Sequence, residues 1–259
     1  MKYKTKLLVD RFVGVLSGWP GVECVSLNEA AQPDTLDSYF ALILDVFCSG
    51  AIPKPEERCA FYGDDAVVFE TANQGNKDRF LVGDIPVRIE YKATGKIDEL
   101  IDIADTKRDL LWLIKDSGTY GYYRLSYGEI LFARTDWIEK IRERLLNLDI
   151  SFWQTIRDAN QSKMEHYLSD LGAALIQGDD FHYLISSAGF IKAACLTLFC
   201  INRRFEPSHR AYFKQIHGLS VLPESFLTQF ETFLHNEGDL TMERKYSLAQ
   251  LMARGIIAL

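Results

Sequence analysis

Residues 39–48 read Tyr-Phe-Ala-Leu-Ile-Leu-Asp-Val-Phe-Cys, nine apolar positions around a single charge, Asp45. Successive side chains of a strand point to opposite faces, so a run that is apolar at both parities must be covered on both sides. It therefore belongs in the middle of a sheet flanked by other layers. The neighbouring sequence supplies candidates for those layers. Residues 4–17 place Leu7, Leu8, Phe12, Val15 and Leu16 on one side of a helix, and Gly18-Trp19-Pro20-Gly21 ends it. Residues 22–27 form a short strand. Residues 59–62 and 66–70 are expected as a hairpin turning at Gly63-Asp64-Asp65, a common turn sequence. Residues 80–82 and 85–91 follow as strands, with Val87, Ile89 and Tyr91 alternating against Arg88 and Glu90. Residues 96–115 read as a helix. A last hairpin over 122–125 and 129–133, then a helix over 137–146, complete this part.

Beyond residue 150 the alternating pattern disappears. Helical periodicity covers 162–177, 181–205, 208–217, 224–235 and 242–257, with turns at Glu206-Pro207, Leu222-Pro223 and Glu237-Gly238-Asp239. The segment 181–205 is apolar nearly all round, which marks it as the central helix. The expected fold class is α+β: a small mixed-sheet domain over residues 1–150, followed by an antiparallel helical bundle over 151–259.

Charge divides along the same line. Residues 1–150 carry 19 Lys+Arg against 25 Asp+Glu, and residues 151–259 carry 10 against 11. An acidic chain of this kind is a poor general nucleic-acid or anionic-membrane binder. The first 16 residues are interrupted by Asp10 and Arg11 and fail as a signal-peptide core. The longest apolar stretch, 186–202, contains Lys192 and reads as a buried helix. A cytoplasmic protein without a membrane partner is expected. The five cysteines, Cys24, Cys48, Cys59, Cys195 and Cys200, are odd in number and form no Cys-x-x-Cys pair, so they read as small apolar side chains in a reducing compartment. All five histidines follow residue 165, so the sheet domain has no imidazole for catalysis. Walker A, Gly-x-Ser-x-Gly and Gly-x-Gly-x-x-Gly sequences are absent.

Three segments carry a family likeness: residues 22–45 (VECVSLNEAAQPDTLDSYFALILD), 123–146 (YRLSYGEILFARTDWIEKIRERLL) and 193–214 (AACLTLFCINRRFEPSHRAYFK). Their order and spacing resemble the minimal and lincosamide-type nucleotidyltransferases, in which a small sheet domain precedes a helical, often HEPN-like, domain. The resemblance implies a Gly-Ser turn for phosphates and two carboxylates at i and i+2 on the next strand, with a third carboxylate nearby, holding Mg²⁺ around a nucleoside triphosphate. This chain has Asn28-Glu29 at the turn. Tyr39 and Ala41 stand where the paired aspartates would be, and shifting the register seats Asp37 but leaves Tyr39 in the second slot. Asp37 and Asp45 share strand parity, but eight residues put them ~26 Å apart on a straight strand. The remaining metal-side candidates are Glu29, Asp37 and Glu90, with Mg²⁺ as cofactor if the chain is active, against the alternative that all three are ordinary solvated or salt-bridged acids.

The densest basic cluster of the second part is Arg203, Arg204, His209, Arg210 and Lys214, with Asn202 beside them. It reads equally as a solvated helix end or as an anion pocket facing the acidic domain. On the second reading Asn202, Arg203, Arg204 and Lys214 bind a nucleotide or small phosphorylated ligand between the domains. Residues 117–123 are turn-forming and aromatic, and are expected as a loop whose rings either stack on a base or, as is commoner, pack within the protein. The leading expectation is a catalytically degenerate nucleotidyltransferase-like protein. The alternatives are a non-catalytic helical interaction module, with a homodimer through the bundle, and a HEPN-type ribonuclease using Arg204 and His209.

Overall fold

The computed structural model describes residues 3–28, 42–235 and 240–259. The chain divides into two compact units, Met1–Thr106 with Arg124–Asn147, and Lys107–Tyr123 with Leu148–Leu259. The stretch Lys107–Tyr123 thus groups with the helical unit although it lies within the first 150 residues.

The first unit is built on six strands: β1 (Val22–Leu27), β2 (Leu42–Cys48), β3 (Ala66–Thr71), β4 (Lys77–Val82), β5 (Ile85–Ala93) and β6 (Glu129–Ala133). Their order is β3-β4-β5-β2-β1-β6; β2 and β5 run parallel and the other pairs antiparallel. The apolar strand β2 is interior, and all seven of its residues are buried. Helix α1 (Tyr3–Ser17) lays Leu8, Phe12 and Leu16 against Val25, Leu42, Leu44, Val46, Val87 and Ile89 on one face of the sheet. Full burial of each such side chain stabilises by about 1.5–3 kcal/mol. The opposite parity of β2 and β5 presents Ile43, Asp45, Phe47, Arg88, Glu90 and Lys92 to the other face. There Phe47 meets Trp137 with ring centroids 5.4 Å apart, at the start of α6 (Trp137–Leu146). Arg144 of α6 ties to α3 (Thr94–Asp105) through Asp102 and Asp105, at 2.8 and 3.1 Å.

Two expected hairpins are replaced. Residues 59–62 belong to helix α2 (Pro55–Tyr62), and β3 pairs with β4 instead. Pro55 at the first helical position and Glu56 and Glu57 in the first turn are the start signals that favour a helix there. Tyr62 and Arg58 then point inward to the carboxylate of Asp78. Arg58 Nε and Nη2 both bond to it at 2.7 Å, while the Tyr62 and Tyr91 hydroxyls donate to it at 3.0 Å. Residues 122–125 are likewise helical, within α5 (Tyr120–Tyr127), and β6 pairs with β1 rather than with them. The segment expected as an aromatic loop therefore ends in a helix, where Tyr120 and Tyr123 stack on each other. The expected helix over 96–115 divides into α3 and the short α4 (Trp112–Ser117).

In the helical unit, α7 (Ile150–Gln177) starts twelve residues earlier than its periodicity indicated, capped by Asp149, whose side chain accepts from the Ser151 amide. Gly178 in the left-handed region ends it, and Asp179 caps α8 (Asp180–Ile201). Phe190, Ala193, Ala194, Leu198 and Phe199 of α8 are buried among Met164, Leu171, Phe230 and Met252. A Cβ at Gly189 would stand 2.5 Å from the Tyr167 ring, so the close approach of α7 and α8 depends on that glycine. Among the described residues α8 is the one helix long and apolar enough to cross a membrane by length and composition, and half of its apolar window is buried in the bundle. Helices α9 (Tyr212–His217), α10 (Phe226–Leu234) and α11 (Met242–Ile257) complete the unit. Cys24, Cys48, Cys195 and Cys200 are free and buried, and burial pushes each thiol up to about 12.

Candidate functional site

Strand register assembles a highly charged site among the described residues of the first unit. The pairings Lys77↔Glu90, Glu90↔Asp45 and Asp45↔Ser26 align these four residues across β4, β5, β2 and β1. Two carboxylates thus sit side by side on adjacent strands, about 4.8 Å apart at the backbone. Their repulsion is relieved from above by Arg124 of α5. Its Nη2 donates to Asp45 Oδ1 at 2.5 Å and its Nη1 to Glu90 Oε2 at 2.9 Å. Lys92 Nζ approaches Asp45 Oδ1 at 2.8 Å and Glu90 Oε2 at 3.8 Å. Arg88 Nε and Lys77 Nζ reach Glu90 Oε1 at 3.1 and 3.7 Å. The amide of Asn28 donates to the second oxygen of Asp45 at 2.9 Å. Asp45 is fully buried, and the Ser26 hydroxyl in the same row is buried with no hydrogen-bond partner among the described residues.

The electrostatics follow from this crowding. Burial alone would raise Glu90, but Arg124, Lys92, Arg88 and Lys77 together hold its carboxyl below the usual range. Burial pushes the Lys92 ammonium down from the ordinary lysine value, against the pull of Asp45.

Glu90 is therefore the centre of a group of four cations. Glu29 and Asp37, the other two acids considered as metal ligands, lie outside the described residues, as do Tyr39 and Ala41. Mg²⁺ requires oxygen donors in a near-octahedral shell. The Asp45 and Glu90 oxygens are already engaged by Arg124, Lys92 and Asn28. Among the described residues no group of three or more His, Cys, Asp and Glu side chains could hold a metal ion. The described carboxylates thus do not fit a magnesium centre.

The basic cluster of the second unit surrounds the end of α8. Asn202 is committed to the backbone: its amide nitrogen donates to Leu198 O and Val221 O at 2.9 and 2.8 Å, and its Oδ1 accepts from Val221 N at 2.8 Å. Arg203 is exposed and takes the left-handed conformation, φ 52°, that closes the helix. Arg204 is half-buried, and Lys214 is exposed on α9. His209 is exposed beside the buried Glu206 at 3.7 Å. The Tyr212 hydroxyl donates to the same carboxylate oxygen, Glu206 Oε1, at 2.5 Å.

Sequence reasoning set Asp45 aside because of its distance from Asp37, and it missed Arg124 and Lys92 as partners. The one available signal for Asp45 was its position as the lone charge in an apolar strand. Arg124 carried no signal, because it is 79 residues from Asp45 and only the fold brings them together.

No family model matches the chain, and no curated protein matches it. Among solved structures, it is similar to the crystal structure of a nucleotidyltransferase-like protein from Exiguobacterium sibiricum. The TM-score is 0.50 at 13% sequence identity, covering 98% of this chain and 74% of that one. The fold is nucleotidyltransferase-like. At this identity the likeness extends to the architecture, a mixed sheet followed by a helical region, and not to the activity.

Proposed function

We propose that this chain is a nucleotidyltransferase-fold protein that no longer performs metal-dependent nucleotidyl transfer and instead binds a nucleotide or another phosphorylated ligand. The observation that carries the reading is the placement of Arg124 and Lys92 across Asp45 and Glu90. Where metal-dependent chemistry needs carboxylate oxygens open to a divalent ion, this sheet face holds fixed protein cations. Such cations favour phosphate oxygens. Tyr39 and Ala41 at the expected aspartate positions argue the same way. The exposed Arg203 and Lys214, with half-buried Arg204, are the phosphate-side candidates in the helical unit.

Thermal unfolding with ATP, CTP, GTP and UTP, each with and without Mg²⁺, tests the reading. The expected result is a nucleotide-dependent rise in Tm that does not require the metal, with no label transferred from an α-labelled triphosphate to any acceptor. A rise that appears only with Mg²⁺, together with transfer, overturns the degenerate reading. No response to any nucleotide or to inorganic phosphate overturns ligand binding and favours an interaction module.

A further inference from the structure

We infer that the first half of α8 is a self-association surface, on which two copies of this chain pack α8 against α8, antiparallel, about a twofold axis. The inference concerns the helical unit alone and stands independently of ligand binding. It gives the homodimer expected from the sequence a definite face. Its starting point is the uneven covering of α8. Tyr183, Ser186 and Phe190 turn into the core, but Phe181, Leu184, Ile185 and Ala188, at i, i+3, i+4 and i+7, are exposed. Further along the same side the helix is covered, and Cys195, Leu198 and Phe199 are buried. Phe181, Leu184 and Ile185 keep 75, 65 and 53% of their surface in water, and Ile176 on the last turn of α7 keeps 88%. Together these side chains expose roughly 500 Å² of apolar surface, within the range of a functional patch. Two copies would bury roughly 1,000 Å², the lower bound of a specific interface.

The charges at the two ends of the patch choose the occupant and its direction. Asp180 lies one turn before Leu184 and Lys192 one turn after Ala188, and both are exposed. They stand about 18 Å apart along the helix axis. A second α8 laid antiparallel brings each Asp180 to the other copy's Lys192, two ion pairs at the rim of the contact. The same register sets Leu184 opposite Ala188 of the second copy, a large side chain against a small one on both sides of the axis. A parallel pairing would oppose Asp180 to Asp180. The antiparallel arrangement is closed, so association stops at two copies. A lipid surface is the competing apolar occupant. Asp179 and Asp180 flank the patch and the chain is net −7, which an anionic membrane repels.

The test is sedimentation equilibrium of the full chain from about 2 to about 200 μM, a range that brackets the affinity of an interface this size. The mass should rise with concentration from 29.6 kDa towards twice that value and stop there. Leu184→Glu replaces an exposed side chain, so circular dichroism and Tm should match the wild type, while dimerisation weakens by more than about 100-fold. Asp180→Lys and Lys192→Asp each set like charges together at two places and should weaken the dimer about tenfold. The double variant Asp180→Lys/Lys192→Asp should restore it. A wild type that stays at 29.6 kDa throughout overturns the inference. So does a dimer that survives both Leu184→Glu and Ile185→Glu, which places the contact elsewhere. Single charge reversals without effect, or a double variant no better than the singles, overturn the antiparallel register. Binding to phosphatidylcholine vesicles by a chain that does not self-associate assigns the patch to lipid and overturns the second copy as its occupant.

Discussion

Replacing Arg124 by methionine isolates the central claim about the sheet, that a guanidinium holds two adjacent carboxylates in place. Methionine keeps much of the stem's apolar contact and removes the charge. Asp45 is fully buried and the Glu90 side chain is 13% exposed, so neither can regain full hydration. At an effective dielectric of about 20, two charges about 5 Å apart repel by about 3 kcal/mol. Stripping one partner from a buried ionic cluster costs about 3–5 kcal/mol by mutational experience. Lys92, Arg88 and Lys77 remain and reduce the loss, so a penalty of about 3 kcal/mol at pH 7 is expected. The pH dependence has a definite sign. Glu90 is held below its unfolded value in the wild type, so it contributes stability above that value and loses it as pH falls through the folded one. In Arg124→Met the same carboxyl loses its strongest cation and rises, and lowering the pH towards 5 protonates it and relieves the repulsion. The gap between variant and wild type should therefore narrow by about 1 kcal/mol between pH 7 and pH 5. Urea unfolding followed by tryptophan fluorescence at both pH values measures it. A penalty below about 1 kcal/mol at pH 7, or an equal penalty at both pH values, would refute the reasoning.

Other positions give simpler expectations. Asp78→Asn should destabilise the first unit by about 3–5 kcal/mol, because it leaves the buried Arg58 guanidinium unpaired, and chemical denaturation would show it. Tyr91→Phe removes one neutral donor to the same carboxylate and should cost only about 1 kcal/mol in that assay. Gly118→Ala places a Cβ 2.6 Å from Glu206 Oε2 at φ +76°, so a loss of about 2 kcal/mol is expected in thermal unfolding. His217 is raised above its ordinary value by Glu231, 2.8 Å away, and by the Phe213 carbonyl. Glu231→Gln should lower its titration midpoint by NMR. The stability from this pair is present below the unfolded histidine value and lost as pH rises through the folded one.

The sequence by itself determined the elements whose periodicity was strong enough to override local alternatives. The apolar run ending at Cys48 had to be an interior strand, because nothing else covers both of its faces. The alternation of Val87, Ile89 and Tyr91 with Arg88 and Glu90 fixed the two faces of β5. The loss of alternation beyond residue 150 marked the helical region. The misread segments were short ones. Four residues at 59–62 and four at 122–125 satisfy strand and helix patterns equally, and pairing partners decide between them: β3 took β4, and β1 took β6. The site shows the same division more sharply. Tyr39 and Ala41 could be seen in the sequence as departures from a paired-aspartate pattern. Only the tertiary structure joined Asp45 to Glu90 across a parallel ladder and brought Arg124 over both. Periodicity specifies which face a side chain occupies. The neighbours it meets there depend on strand order and register, and these are set by the packing of the whole sheet.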